Sequence, residues 1–172
     1  MATYQASSSA ANAPVVEEAM YKLVLVRVEA KRMATGKFVK NREAGDPKLE
    51  WVFQLVDGDG NIVLAVDSDG NPITDEDGVQ RPVEVSKLTG VGFNIASTTV
   101  PAEVKMLKAL LTNAEYKAFE NGEGTPDDEE DAPAGLLGRM AQGEVGVKEN
   151  GWPFLGNVVQ PLGGQKGKAF AA

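Results

Sequence analysis

The side chains best equipped for chemistry in this 172-residue chain are cations interleaved with aromatic rings. Lys31, Arg32, Lys37, Lys40 and Arg42 crowd around Phe38, Trp51 follows soon after, and Lys148 stands four residues before Trp152. Ammonium and guanidinium groups track phosphates, and a flat ring offers a face for an unpaired base. The combination points to a flexible polyanion such as single-stranded DNA. Each signal has a plainer reading beside it. The basic stretch is also an ordinary solvated loop, and Trp51 shares an alternating face with Leu49, Phe53 and Leu55, the pattern of a core strand.

Other chemistries are thinly supplied. The chain has no cysteine, which removes disulfides and thiolate metal sites, and no histidine, which removes imidazole-based triads and the commonest metal ligand. Residues 57–84 hold eight acids and one cation, with Asp57-Gly-Asp-Gly-Asn61 and Asp67-Ser-Asp-Gly-Asn71 resembling calcium loops at first sight. An EF-hand needs glycine at position 6 and a carboxylate at position 12. Counted from Asp67, position 12 is Gly78; counted from Asp57, it is Ser68. Turn chemistry around the short run 62–66 explains these acids better. Acids in glycine-rich turns are also poorly placed to hold Mg²⁺ for phosphoryl chemistry. The chain therefore reads as a non-enzyme without a metal or cofactor.

The net charge of −8 is unevenly spread. Residues 21–48 carry eight basic side chains against Glu29, Glu43 and Asp46, a local balance of +5, which leaves −13 on the remainder. No run of 18 or more apolar residues is present, and the first residues show neither a basic nor an apolar signal region, so a cytoplasmic location is expected.

The elements that would position these groups follow from periodicity. Residues 1–19 are rich in Ser, Ala and Asn without a period, the composition of a flexible arm. Residues 20–32 alternate with apolar side chains on both faces, which suggests a central, curved strand; residues 49–57 alternate cleanly; β character resumes over 79–97. The period then changes. Val104, Leu107, Leu110 and Leu111 form a helical stripe after Pro101, with Thr99 as the expected cap, and Thr112-Asn-Ala-Glu115 matches a capping box, so the helical segment breaks near Leu111. An acidic, proline-bearing linker spans 123–135. Runs 136–147 and 152–161 flank Asn150-Gly151, a hairpin signal of type I′. Residues 162–172 look like a flexible tail.

This order, β-β-β-α-β-β, is that of a five-stranded oligonucleotide-binding (OB) barrel, an α+β fold with one helical segment; a split β-sandwich is the competitor. The single domain would span 20–161, with an acidic insertion at 57–78. In OB barrels the strand 2–3 face and the loops 1–2 and 4–5 bind nucleic acid.

The stretches LEWVFQLVDGDG, PAEVKMLKALL and LLGRMAQGEVGVKENGWPFLGNVV resemble small phage-encoded proteins of recombination and replication operons, over roughly residues 20–56 and 98–160. The resemblance implies an OB-fold, single-stranded DNA-binding or recombination-associated protein in the host cell cytoplasm. Its partners would be single-stranded DNA and replication or recombination proteins, with a homo-oligomer allowed and no membrane. A second class fits the acidic surface: a virion component, or an inhibitor that mimics DNA toward a host enzyme.

Overall fold

The computed structural model describes residues 13–32, 47–90, 92–94, 96, 98–121 and 135–167. Among the described residues, five strands and two helices run in the order β1 (Ala19–Arg32), β2 (Pro47–Val56), β3 (Glu84–Thr89), α1 (Ala102–Leu110), α2 (Asn113–Glu120), β4 (Arg139–Val147) and β5 (Pro153–Lys166). The strands form one antiparallel sheet in the order β3-β2-β1-β4-β5. Its two edges, β3 and β5, therefore run parallel and come back toward each other, where the Lys87 ammonium donates to the Gly156 carbonyl at 3.5 Å. The result is a nearly closed five-stranded barrel of OB-like order, as the sequence pattern predicts.

β1 is the central strand, and its two-sided apolar pattern has a geometric cause. Its first part pairs with β4 from Ala19↔Val145 to Val24↔Met140, while β2 accompanies it from Lys22↔Val56 to Arg32↔Pro47. A bulge between Leu25 and Arg27 bends the strand. Leu23, Leu25 and Val28 enter the main core, and Val24 is buried as well.

α1 starts at Ala102 behind Pro101, the N-cap, so Thr99 is not the cap. The expected break near Leu111 is present. Thr112 accepts from the Glu115 backbone, Glu115 accepts from the Thr112 backbone, and α2 begins there with the complete reciprocal box. α1 packs on β5 and β4, with Val104, Met106, Leu107 and Leu110 buried.

The acidic stretch after β2 is a built module rather than a loop. Three turns repeat one plan at Asp57, Asp67 and Asp75. The aspartate Oδ1 accepts from the backbone two and four residues on at 2.9–3.0 Å, and a glycine of positive φ (Gly60, Gly70, Gly78) closes each turn. Backbone hydrogen bonds between the segments form two closed rings. In one, Val63 donates to Leu55, Leu55 to Val83 and Val83 to Val63; in the other, Ala65 donates to Arg81, Arg81 to Ile73 and Ile73 to Ala65. Three short segments thus surround one axis, burying Ala65 and Val83 and half-burying Val63 and Ile73 against the main core.

Two boundaries differ from the compositional reading. Residues 13–18 are docked rather than trailing: Val15 donates to the Val66 carbonyl at 2.9 Å, and the Glu18 carboxylate accepts from the Val147 backbone at 3.0 Å. β5 continues to Lys166, because its glycine-rich end still finds a ladder partner in Arg139. Residues 1–12, most of the 123–135 linker and the last five residues lie outside the described residues.

Candidate nucleic-acid interface

The β4–β5 hairpin carries the most exposed aromatic candidates, Trp152 and Phe154. Its turn is not type I′. The Lys148 backbone donates to the Trp152 carbonyl and Gly151 donates to Lys148, while Gly151 has φ +87° and Asn150 stays at negative φ. This is a three-residue loop, a type I turn closed by a glycine in the left-handed region. The Asn150 side chain accepts from the Trp152 backbone at 3.1 Å and fixes where the indole leaves the turn. The backbone bonds follow the plan of the three aspartate turns, with Lys148 at the aspartate's place and Asn150 supplying the side-chain acceptor.

Trp152 is 37% exposed, and Phe154, two residues on, is 39% exposed. The Phe154 ring lies against Gly146 on the facing strand, so close that a Cβ there would come within 2.8–2.9 Å of it. Glycine at 146 is what leaves room for the tip of this ring against β4. Trp152 borders an open cleft of about 390 Å³, lined also by Arg81, Glu84, Ile73, Thr74 and Pro14. The docked N-terminal segment and the three-turn module therefore form the opposite wall from the indole. The cleft combines a ring, an exposed guanidinium from Arg81 and a hydroxyl from Thr74.

The remaining sequence candidates fare differently. Trp51 is fully buried, and its indole N–H donates to Thr89 Oγ1 at 2.8 Å, so it has no face to offer a base. Its assignment as a stacking residue is corrected to a core residue. Both faces of β2 are apolar near it, since Val52 and Val56 alternate with Trp51 and Phe53, and alternation alone does not tell which face is inward. Lys148 is exposed at the hairpin turn beside Trp152. The ladder sets Lys31 opposite Lys48 and Arg32 opposite Pro47 at the far end of β1–β2. Lys37, Phe38, Lys40 and Arg42 lie outside the described residues. Sequence reasoning missed Phe154 and Arg81. The first had a readable signal, its spacing of two from Trp152 on a strand; the second is brought to the cleft only by tertiary folding.

The outer β1–β2–β3 face, where an OB barrel would be expected to bind, is acidic. The ladder aligns Glu29 with Glu50, and Glu84 with Gln54, around Arg27. Arg27 makes two bonds to the Glu84 carboxylate at 2.8 and 3.2 Å and reaches Glu29 at 3.4 Å. The hydrogen bond to Glu84 raises its pKa above the ordinary guanidinium value. Three carboxylates around one committed cation repel phosphate.

No family model, curated protein or solved structure matches this chain. Among the described residues, no group of three or more acidic side chains is arranged to hold a metal ion, and no helix is long and apolar enough to cross a membrane.

Proposed function

We infer that the chain is a non-enzymatic single-stranded DNA-binding protein that holds its ligand at the β4–β5 hairpin rather than across the β2–β3 face. The observation that carries this reading is the pair of exposed rings, Trp152 and Phe154, on a hairpin with Lys148 at its turn and Arg81 across the cleft. Bases stack on the rings, and phosphates are held by Lys148 and Arg81. The ladder sets Lys31 opposite Lys48, which puts two basic residues at one register position and supports a further phosphate contact. A role in phage replication or recombination rests on the sequence resemblance alone.

The test is a tryptophan-fluorescence titration with oligo-dT. Trp51 is sealed in the core, so quenching reports on Trp152. Binding should weaken with salt, with a logarithmic slope of about −2 for three phosphate contacts on a single strand. Trp152→Ala should lower affinity by roughly 5- to 150-fold, the usual worth of one stacked base. Absence of quenching, or binding indifferent to salt, refutes the reading.

One observation favours a second reading. The carboxylates of Glu29, Glu50 and Glu84 present an anionic face suited to a basic cleft on another protein, as in a DNA mimic or a virion component. Size-exclusion chromatography with light scattering separates the classes. A symmetric oligomer that ignores oligo-dT favours protein interaction.

A further inference from the structure

The seam where the barrel fails to close holds a second, differently built cleft. β3 and β5 approach without a described ladder between them, and α1 covers the gap, leaving a cleft of about 200 Å³. Its floor is apolar, formed by Met106, Val159, Pro161 and two alanines of α1. Its polar groups are three lysines: Lys87 from β3, and Lys105 and Lys108 one turn apart on α1. Among the described residues that line it none is acidic, in a chain of net charge −8.

The arrangement sets like charges side by side. Lys87 is half-buried, and desolvation first, then the nearby Lys105 ammonium, lowers its pKa below the ordinary lysine value. It donates to the Gly156 carbonyl at 3.5 Å, across the seam. Lys108 also sits 5.8 Å from the Tyr116 ring centre, which holds its stem along the cleft rim. An anion in the cleft relieves the repulsion, and an apolar body attached to it covers the floor. A bare phosphate would leave the floor wet, and a neutral apolar group would leave the lysines opposed. The volume lies below the roughly 300–1,000 Å³ of pockets for drug-sized ligands, so the occupant is small: one ring or branched chain with one anionic group.

We propose that this seam cleft is a binding site for a small amphiphilic anion of the aryl-carboxylate class, its carboxylate held by Lys87, Lys105 and Lys108 and its ring laid on Met106, Val159 and Pro161. The site is separate from the Trp152 cleft and does not depend on nucleic-acid binding.

The probe is benzoate, titrated into the full chain and followed by amide chemical shifts, with benzamide as the neutral control. The expected result is saturable shifts confined to α1, β3 and the middle of β5. Affinity should be about tenfold weaker for the amide and for Lys105→Glu/Lys108→Glu, as loss of a charge-assisted contact implies. Trp152→Ala should bind the probe as the parent does. Shifts that are absent or scattered over the surface overturn the proposal. So does equal binding of acid and amide, a result that needs no variant to fold and would leave only an apolar patch.

Discussion

Replacing Glu115 with Gln isolates one charge that ties the helical segment to the barrel. The Glu115 carboxylate accepts from both Arg139 terminal nitrogens at 2.7 and 2.9 Å, and from the Thr112 backbone at 3.0 Å. These contacts, the Arg139 fork first, hold its pKa down at about 2 from the ordinary 4.5. Taken at face value, that depression corresponds to about 3 kcal/mol at neutral pH. The Glu115 side chain is 39% exposed, however, so solvent screening reduces the figure to about 1–2 kcal/mol. The sign follows from the depressed value. The contribution is complete above the unfolded carboxyl's pKa and disappears as pH falls through about 2. Glutamine still completes a capping box, so the substitution removes the charge and leaves the turn. Urea denaturation of both proteins should show the variant less stable by about 1–2 kcal/mol at pH 7, with the gap closing steadily between pH 5 and pH 2. A gap that stays constant with pH, or a variant as stable as the parent at pH 7, refutes the electrostatic account.

Three further outcomes are expected. Thr89→Val should cost about 1–3 kcal/mol in urea denaturation, because the Trp51 indole N–H loses its acceptor in a fully buried site; a loss under about 0.5 kcal/mol would show that the bond is dispensable. Asp67→Ala removes an oxygen that takes two backbone N–H groups at 2.9 Å and should cost about 0.5–1.5 kcal/mol; Asp57→Ala and Asp75→Ala should match it if the three turns are equivalent. Gly146→Ala pushes a methyl group into the tip of the Phe154 ring, a side chain that is 39% exposed and has room to change rotamer. Stability should change by about 0.5–1.5 kcal/mol, the cost of an altered rotamer. Oligo-dT affinity should fall, and the same substitution in a Phe154→Ala background should have no further effect on binding.

Local chemistry was legible in the sequence and distant contact was not. The break at Leu111 and the Thr112–Glu115 box were readable because both partners lie within one turn. The central place of β1 was readable because a strand with neighbours on both sides and a bend must carry apolar residues on both faces. The third aspartate turn escaped notice because Val79 stands where the first two have asparagine, yet the geometry needs only the leading aspartate and the glycine. Composition misjudged the end of β5, where Lys166 pairs with Arg139 beyond a register irregularity that follows Pro161. The module's two hydrogen-bond rings join segments as far apart as Leu55 and Val83, and no local pattern announces them.

The charge map ties the candidate interface to a narrow path. An extended polyanion cannot lie across the outer sheet face, because Glu29, Glu50 and Glu84 meet it within a Debye length of about 8 Å, and Arg27 is already engaged by Glu84. The rings of the β4–β5 hairpin lie at the margin of that face, where Glu84 and Trp152 border the same cleft. On the proposed reading, repulsion from the sheet and attraction at the hairpin act in the same direction and would hold a strand to the rim. A rim contact of two rings and a few cations engages few nucleotides, toward the low end of the roughly 4–16 that one OB barrel covers. The acidic sheet is thus compatible with a net-negative binder: it limits where the ligand lies, while the hairpin decides whether it is held.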